Sequence, residues 1–312
     1  MKISILGPSG SYTEKAAHQI FSGLPGGTFE FIYQSAIESV VLDLFKDASE
    51  KADFAVIPVE NSIEGAVGIS MDLLLEKDMT VAAEVVLPIS HCLLLPVKTA
   101  QNPSFSLEDI TCVYSHSQGL YQCRSFIRDQ LKNACCAETE STSKAALFVS
   151  NEANKTDNIC AAIASAEAGE KYGLAVVKTN IQDNAANFTR FFILKRSDAE
   201  MPSEAQPLFL KDNFSKLEDG NFYLKTSVVF SPTNDKPGAL FHILEAFYRH
   251  QINLTRIESR PSKKALGEYY FYIDLEGTPD DQSVADALSK VADKSAKLKL
   301  LGTYGQFFSD SR

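Results

Sequence analysis

The chain has 312 residues, enough for about two domains, and its 45% hydrophobic and 22% charged residues are typical of a globular protein. Its formal net charge is −10 and it has no basic stripe, which argues against a nucleic-acid or anionic-membrane partner. The apolar patch at the N-terminus is too short for a signal peptide, and no stretch has the roughly 18 apolar residues that a membrane span requires.

The cysteines and histidines indicate neither a disulfide framework nor a metal site. The six cysteines include no C-x-x-C motif, and the adjacent Cys135 and Cys136 would make an unusual structural pair. We therefore expect reduced thiols in a cytoplasmic protein. The five histidines lack metal-ligand spacing with Cys, Asp or Glu, so we predict no metal ion.

Three early segments share one plan, in which a short β-like run leads through a polar turn into a helix. They are KISILGPSGSYTEKAAHQIF, FAVIPVENSIEGAVGISMDLLL and ITCVYSHSQGLYQCRSFIRDQL. The apolar side chains of the three predicted helices are Ala16, Ala17, Ile20 and Phe21; Ile63, Val67, Met71 and Leu74; and Leu120, Cys123, Ile127 and Leu131. Strands that alternate with helices predict an α/β fold with largely parallel sheets.

Each of these turns places hydroxyl, amide or imidazole side chains at the start of its helix. They are Ser9, Ser11 and Thr13; Asn61 and Ser62; and Ser115, His116 and Ser117. Helix capping alone explains such residues, since Ser11-x-x-Glu14 and Asn61-x-x-Glu64 fit a capping box or a close variant. Helix N-termini are also good anion sites, and in open α/β sheets they gather where ligands bind.

A late strand, NFTRFFILKR, contains a polar pair inside an apolar run. A buried, unpaired Arg190 would cost several kcal/mol, so either the strand is an exposed edge or Arg190 meets an anion. Three polar turns upstream favour a shared anionic ligand. Because the chain lacks a P-loop and a dinucleotide fingerprint, a small polar acid is a better candidate than a nucleotide.

The C-terminal part has a different pattern of predicted strands and helices. Residues 198–221 are polar and contain prolines, so we predict a linker. After it, FYLKTSVVF, PGALFHILEAFYRH, INLTRIESRPSK, GEYYFYIDLEG, DQSVADALSKVADKSA and KLKLLGTYG predict strand, helix, strand, strand, helix and strand. This βαββαβ order is the ferredoxin-like plan.

Six ordered motifs carry a family resemblance. GPSGSYTE at 7–14, PVENS at 58–62, YSHSQGLYQC at 114–123 and NFTRFF at 187–192 resemble the prephenate dehydratase family. Further along, GALFHIL at 238–244 and ESRP at 258–261 resemble the two signatures of the ACT regulatory domain of that family.

The resemblance implies the decarboxylative dehydration of prephenate to phenylpyruvate in phenylalanine biosynthesis, without a cofactor. It also implies a two-lobed catalytic domain of the type 2 periplasmic-binding-protein-like fold over residues 1–197, with the site in the cleft. The lobes would comprise roughly residues 1–75 plus 182–197, and residues 76–181, and the ACT domain residues 222–312. Since the chain begins at the dehydratase motif, we expect no chorismate mutase domain.

The resemblance makes Thr189 the essential residue, and we expect its hydroxyl to bond the departing ring hydroxyl, because a Thr is a poor acid. The other expected catalytic positions are Asn61, Ser115, Gln122 and Glu60. The expected substrate-binding positions are Arg190, Ser9, Ser11, Thr13, Ser62, His116 and Phe191. Neighbours on a regular strand face opposite ways, so Thr189 and Arg190 can share the cleft only if the strand ends or bulges there. Glu60 would orient Asn61 or Arg190, or donate a proton.

The ACT resemblance implies L-phenylalanine as a feedback inhibitor bound where two domains pair. Leu240, Ile243, Leu244 and Phe247 also fit a plain helix core stripe. The expected effector positions are Pro237, Gly238, Ala239, Leu240, Asn253, Leu254, Glu258 and Ser259, with Pro237 at or near the first helical turn. We expect at least a dimer through the ACT domains, and the resemblance favours a homotetramer.

Two other functions fit the same residues. Arogenate dehydratase acts on a substrate with an amine in place of the keto oxygen, and the sequence does not separate the two. A non-catalytic amino-acid sensor is disfavoured by Thr189, because a sensor needs no group directed at a leaving oxygen.

Overall fold

The computed structural model describes residues 1–24, 28–152, 158–209, 224–233, 236–265 and 267–308. The strands in these ranges are β1 (Lys2–Leu6), β2 (Glu30–Gln34), β3 (Phe54–Asn61), β4 (Gly65–Ala66), β5 (Met79–Pro88), β6 (Cys92–Pro96), β7 (Ile110–Ser115), β8 (Cys135–Glu138), β9 (Ile159–Ala164), β10 (Leu174–Lys178), β11 (Phe188–Arg196), β12 (Leu224–Pro232), β13 (Leu254–Pro261), β14 (Tyr269–Glu276) and β15 (Ser295–Phe308). The α-helices are α1 (Tyr12–Phe21), α2 (Ile37–Leu42), α3 (Gly68–Glu76), α4 (Val97–Ala100), α5 (Ser117–Gln122), α6 (Arg124–Gln130), α7 (Thr142–Glu152), α8 (Ala166–Lys171), α9 (Ala239–Arg249) and α10 (Gln282–Asp293). None of these helices is long and apolar enough to cross a membrane.

The first lobe is built on strands in the order β5-β11-β3-β1-β2. β1 is parallel to β2 and β3, whereas β11 is antiparallel to both β3 and β5. Each face of this sheet is covered by a separate apolar cluster. Phe191 and Ile193 pack on the face covered by α1, and Phe192 and Leu194 pack on the opposite face, so β11 alternates as a two-sided buried strand does.

The second lobe has its own sheet, in the order β10-β6-β9-β7-β8. The chain enters this sheet after β5 and returns to the first sheet at β11, which gives two lobes joined by two crossings. The prediction of largely parallel sheets is wrong in part, because β5 and β11, which lead out and back, are antiparallel neighbours. β5 belongs to the first sheet, so this lobe extends to Pro88, beyond the expected boundary at 75.

The C-terminal domain confirms the predicted βαββαβ order, with strands arranged β13-β14-β12-β15 and two helices packed on one apolar cluster. β15 also pairs in parallel with β5, so the two domains share one continuous sheet. Gly302 permits this close approach, because a Cβ atom there would lie 2.5 Å from the carbonyl oxygen of Val81.

The expected linker, 198–221, is described as far as residue 209, and residues 210–221 lie outside the described ranges. A short 3₁₀ helix, Gln206–Phe209, lies in its first half. Ala205 and Leu208 are buried in the cluster around α1, and the Phe209 ring stacks on Phe54 at 5.5 Å between centroids. This half of the segment therefore packs on the first lobe.

Candidate active site

A chain of hydrogen-bonded polar side chains joins the two lobes. The Asn61 side-chain amide donates to the Thr189 hydroxyl oxygen at 2.9 Å and to Asn187 Oδ1 at 2.8 Å. The Asn187 amide in turn donates to Gln122 Oε1 at 2.9 Å, and His91 Nε2 lies 2.9 Å from the same oxygen. Thr189 and Asn61 belong to the first lobe, and Gln122 lies on α5 of the second lobe. His91 and Asn187 lie in the two segments that cross between the lobes, so the five residues lie where the lobes meet.

The backbone around Asn61 explains how its amide is directed. Asn61 ends β3, and its Oδ1 accepts from the backbone N–H groups of Ile63 at 3.0 Å and Glu64 at 3.1 Å. With Oδ1 fixed in this turn, Nδ2 points at Thr189, its register partner on β11. The prediction of a helix from Asn61 with Ile63 on its apolar side is wrong. Gly65, at φ 83°, reverses the chain into β4, Ile63 is exposed, and α3 starts only at Gly68.

Three residues of this hydrogen-bonded chain are buried, and two of its donors are free of bonds within the described residues. Asn187 is 0% exposed, His91 3% and Gln122 9%, so their polar atoms need internal hydrogen bonds. The Thr189 oxygen accepts from Asn61, and no bond donated by the Thr189 hydroxyl is found within the described residues. Its proton is therefore available to a ligand in the cleft. Gln122 Nε2 also makes no hydrogen bond in the described part of the chain.

Asn187 and His91 are not among the site residues predicted from the sequence. Asn187 is the first residue of the NFTRFF motif, so its position was visible although its role was not. His91 stands between two apolar strands without any pattern that indicates its use. Because Gln122 Oε1 can only accept, His91 Nε2 carries the proton, and Nδ1 is a buried acceptor with no partner among the described residues.

We expect His91 to make the free energy of unfolding depend on pH. Burial lowers the pKa of His91, and the hydrogen bond to Gln122 opposes this only in part. As the pH falls below about 6.5, the unfolded chain takes up a proton before the folded one, so stability is lost down to the lowered folded pKa. Urea denaturation at several pH values below about 7 should show that the free energy of unfolding falls less steeply with decreasing pH in His91→Gln than in the unchanged protein. Equal dependences would contradict this role.

The hydroxyls of the first turn are bonded within the protein. Ser11 caps α1 by accepting from the N–H of Glu14 at 3.2 Å and donates to the carbonyl of Leu6 at 2.8 Å. Ser9 donates to the Glu14 carboxylate at 3.1 Å, and Thr13 is buried. The capping explanation accounts for Ser11, and none of the three is hydrogen-bonded to the chain around Asn61.

The second and third turns contribute unequally. Ser62 fastens the site strand, because its hydroxyl accepts from the N–H of Phe188 at 2.9 Å and donates to the carbonyl of Ala186 at 3.1 Å. Ser115 is fully buried and donates to the carbonyl of Ile163 at 2.7 Å. His116 caps α5 by accepting from the N–H of Gln118 at 3.3 Å. Of the third motif, the structure brings Gln122 into the hydrogen-bonded chain.

Arg190 lies on the opposite face of β11 from Thr189. Its Nη1 is 2.6 Å from Glu60, its Nε and Nη2 are 3.1 and 2.9 Å from the two oxygens of Glu84, and its Nη2 is 2.7 Å from Asp274. The register shift after Arg190 comes from an extra residue in β3, Val59, and β11 itself pairs regularly with β5 at this point. Thr189 and Arg190 therefore keep opposite directions. The sequence left two explanations for Arg190, an exposed edge strand or a contact with an anion. The second is correct, and the anions are carboxylates of the protein itself. Phe191 is buried in the core, 2% exposed.

The expected effector positions fall into two separate groups. A cavity of about 560 Å³ lies at the start of α9, lined by Gly238, Ala239, Leu240, Lys236, Tyr269 and Phe271, among others. The end of β13, at Pro261, pairs with Tyr269 beside the cavity. Asn253 and Leu254 lie at the other end of β13, where the strand begins, and Glu258 and Ser259 lie between the two ends. Pro237 precedes the cap of α9, so it stands just outside the first helical turn.

Two lobes on mixed sheets with a polar cleft, followed by a ferredoxin-like domain, define a ligand-binding catalytic domain fused to a regulatory domain. A model of the prephenate dehydratase family matches residues 3–199, and a model of the ACT domain matches residues 233–293. The chain belongs to the prephenate dehydratase family.

Relatives and solved structures agree with this assignment. The chain is 38% identical over 304 residues to the bifunctional chorismate mutase/prephenate dehydratase of Aquifex aeolicus, covering 97% of this chain and 73% of that protein. It is 36% identical over 301 residues to the prephenate dehydratase of Methanocaldococcus jannaschii, covering 96% of each. The crystal structure of prephenate dehydratase from Arthrobacter aurescens in complex with L-Phe is 30% identical, with a TM-score of 0.77, covering 98% of this chain and 90% of that one.

Proposed function

We propose that the chain is an enzyme that converts prephenate to phenylpyruvate in L-phenylalanine biosynthesis, with L-phenylalanine as its feedback inhibitor. Its membership of the dehydratase family supports this reaction. The observation that carries the site is the hydrogen-bonded pair of Thr189 and Asn61, which presents a hydroxyl to the cleft. The biosynthetic role also favours a cytoplasmic enzyme.

The reaction needs little more than a group for the departing oxygen. The bond to the ring carboxylate breaks and releases CO2, its electron pair enters the ring, and the ring C–O bond breaks as the hydroxyl leaves. We propose that the Thr189 hydroxyl donates a hydrogen bond to that oxygen as negative charge develops on it. Asn61 strengthens this donor, because an amide that donates to the Thr189 oxygen polarises its O–H bond.

The substrate carboxylates require donors that are not already used. Gln122 Nε2 fits this need, since Gln122 Oε1 is fixed by Asn187 and His91 while the amide nitrogen makes no hydrogen bond in the described ranges. We propose that Gln122 binds a carboxylate from the second lobe, opposite Thr189. The two lobes would then hold opposite sides of one substrate, which requires them to separate for its entry.

For the effector, we propose that two copies of the ACT domain complete each site. Within one chain the backbone of Gly238, Ala239 and Leu240 and the side chain of Asn253 lie at opposite ends of the β13–β14 pair. β13 is an edge strand of the ten-stranded sheet, with Ile257 48% exposed, so a second copy can lie beside it. We propose a dimer through this domain, and a homotetramer as the complete assembly.

The direct test is product formation from purified substrates. We expect phenylpyruvate from prephenate, measured by chromatography, and a rate that falls as L-phenylalanine is added. Arogenate, supplied in parallel, should give phenylalanine much more slowly, and a preference for it would assign the chain to the arogenate enzymes. Failure to form either product would instead support the amino-acid sensor.

A further inference from the structure

A buried cluster of ionic side chains joins the ACT domain to the catalytic domain around Arg190. Asp274, which bonds Arg190 directly, lies on β14 of the ACT domain. Lys225 of β12 lies 3.2 Å from Glu84, Gln306 of β15 donates to Glu84, and Arg256 of β13 lies 3.0 Å from Glu60. All four strands of the ACT domain therefore contribute a side chain to a cluster whose centre is a residue of β11.

The centre of the cluster is buried, Glu60 at its edge is 30% exposed, and the charges are balanced. The side chains of Glu84 and Asp274 are 0% and 3% exposed, and that of Arg190 is 16% exposed. Three carboxylates, those of Glu60, Glu84 and Asp274, face the cations of Arg190, Lys225 and Arg256. Burial would raise the pKa of Asp274, but the charges of Arg190 and Arg256 hold it below its usual range. A charge-balanced buried cluster resists displacement of any member, because an uncompensated buried charge is strongly unfavourable.

This cluster borders the catalytic pair in the β ladder. Thr189 pairs with Asn61, and the next pair in the same ladder is Arg190 with Glu60. Beyond Arg190 the register shifts, and this shift interrupts the regular pairing of β11 with β3. The ion pairs of Arg190 and Glu60 therefore fix the pair of residues next to Thr189 and Asn61, where the regular ladder is interrupted.

We propose that Arg190 is a positioning residue that Asp274 of the ACT domain holds in place, and that the ACT domain controls the Thr189–Asn61 pair through this contact. This inference rests on the proposed function, because it assigns the route by which the effector alters turnover. Arg190 acts through its neighbours and does not need to touch the substrate. A change in how the ACT domain sits against β11 alters the bonds of Arg190 first and the direction of the Thr189 hydroxyl next.

The test compares two carboxylates that both bridge the domains. Asp274→Asn removes the charge that holds Arg190. Asp72→Asn removes the carboxylate of α3 that bonds Lys263 at 2.7 Å and lies 3.5 Å from Arg260, and that forms no ion pair with β11 or β3 among the described residues. For Asp274→Asn we expect kcat to fall about tenfold with KM within about threefold, because the substrate-binding donors are unchanged. Inhibition by L-phenylalanine should weaken at least about fivefold, whereas Asp72→Asn should keep turnover and inhibition.

A second measurement does not depend on activity. Amide hydrogen exchange, followed by mass spectrometry, should rise in peptides covering 58–64 and 186–192 in Asp274→Asn and not in Asp72→Asn. If Asp274→Asn does not fold, Ser227→Ala serves in its place, since Ser227 donates to Asp274 at 2.5 Å, and smaller changes in the same direction are expected. Unchanged kcat and exchange in the chosen variant, or equal losses in Asp72→Asn, would overturn the proposal. An unchanged protein that forms no phenylpyruvate would instead refute the proposed function, and the exchange result would still decide the positioning role.

Discussion

Thr189→Val should lower kcat by about 10³-fold and leave the unfolding midpoint close to that of the unchanged protein. Valine keeps the shape and the β preference of threonine but has no hydroxyl to direct at the departing oxygen. It also leaves Asn61 Nδ2 with its two other acceptors, Asn187 Oδ1 and the carbonyl oxygen of Phe188, so the local fold has a reason to persist. Phenylpyruvate formation at saturating prephenate, together with thermal unfolding, measures both parts of this expectation.

Two variants separate the hydroxyl from the rest of the side chain. Thr189→Ser restores the O–H group and should recover a large part of the turnover. Thr111→Val, in the second lobe, removes a hydroxyl that donates to the carbonyl of Ile159 at 3.1 Å and should leave turnover unaffected. If Thr189→Val retained most of its turnover, the hydroxyl would have no part in the reaction, and Asn61 or Gln122 would have to be reconsidered as the donor.

Arg190→Met should lower the free energy of unfolding by about 3–5 kcal/mol, because it leaves buried carboxylates without their cation. Methionine fills the space of the arginine stem but leaves the carboxylates of Glu84 and Asp274 buried with fewer cations. Lys225 still faces Glu84, so the loss falls most heavily on Asp274, whose oxygens then face Ser227 and the more distant Arg256. Urea denaturation followed by circular dichroism gives the midpoint and the slope.

The control for this substitution is Arg128→Met. Arg128 forms a two-bonded pair with Asp129, but its side chain is 70% exposed, and solvent screening leaves such pairs with little influence on stability. We expect almost no change in its midpoint. Similar midpoints for Arg128→Met and Arg190→Met would contradict this expectation. They would mean that water reaches the cluster and solvates the carboxylates that lose Arg190.

The sequence predicted those features that depend on local pattern. The βαββαβ order, the α1 stripe and the β11 strand each follow from periodicity over fewer than about twenty residues. Side-chain alternation along a strand also predicted correctly that Thr189 and Arg190 point in opposite directions. At Asn61 the pattern was misleading, because an Asn followed by Glu at the third position fits a helix cap and a tight turn equally well, and Gly65 decided for the turn.

The remaining features depend on contacts between distant segments. Arg190 needed an anion, yet nothing in the sequence points from residue 190 to Asp274, which is 84 positions away. That contact exists because β15 pairs with β5, and strand pairing between domains leaves no periodic trace in either strand. His91 is a similar case, because it joins the site through a hydrogen bond with Gln122, which is 31 positions away in the sequence.

The shared sheet has a practical consequence for dissecting the enzyme. A fragment that ended before β12 would uncover the edge of β5 along Ala83, Glu84 and Val85, where β15 now pairs. Two of these side chains are apolar and fully buried, and the third is a carboxylate that would lose the cation of Lys225. An open apolar strand edge invites pairing between molecules, so the isolated first 209 residues should associate or precipitate where the whole chain does not. The regulatory domain is therefore also the cover that keeps the catalytic sheet from growing by addition of further strands.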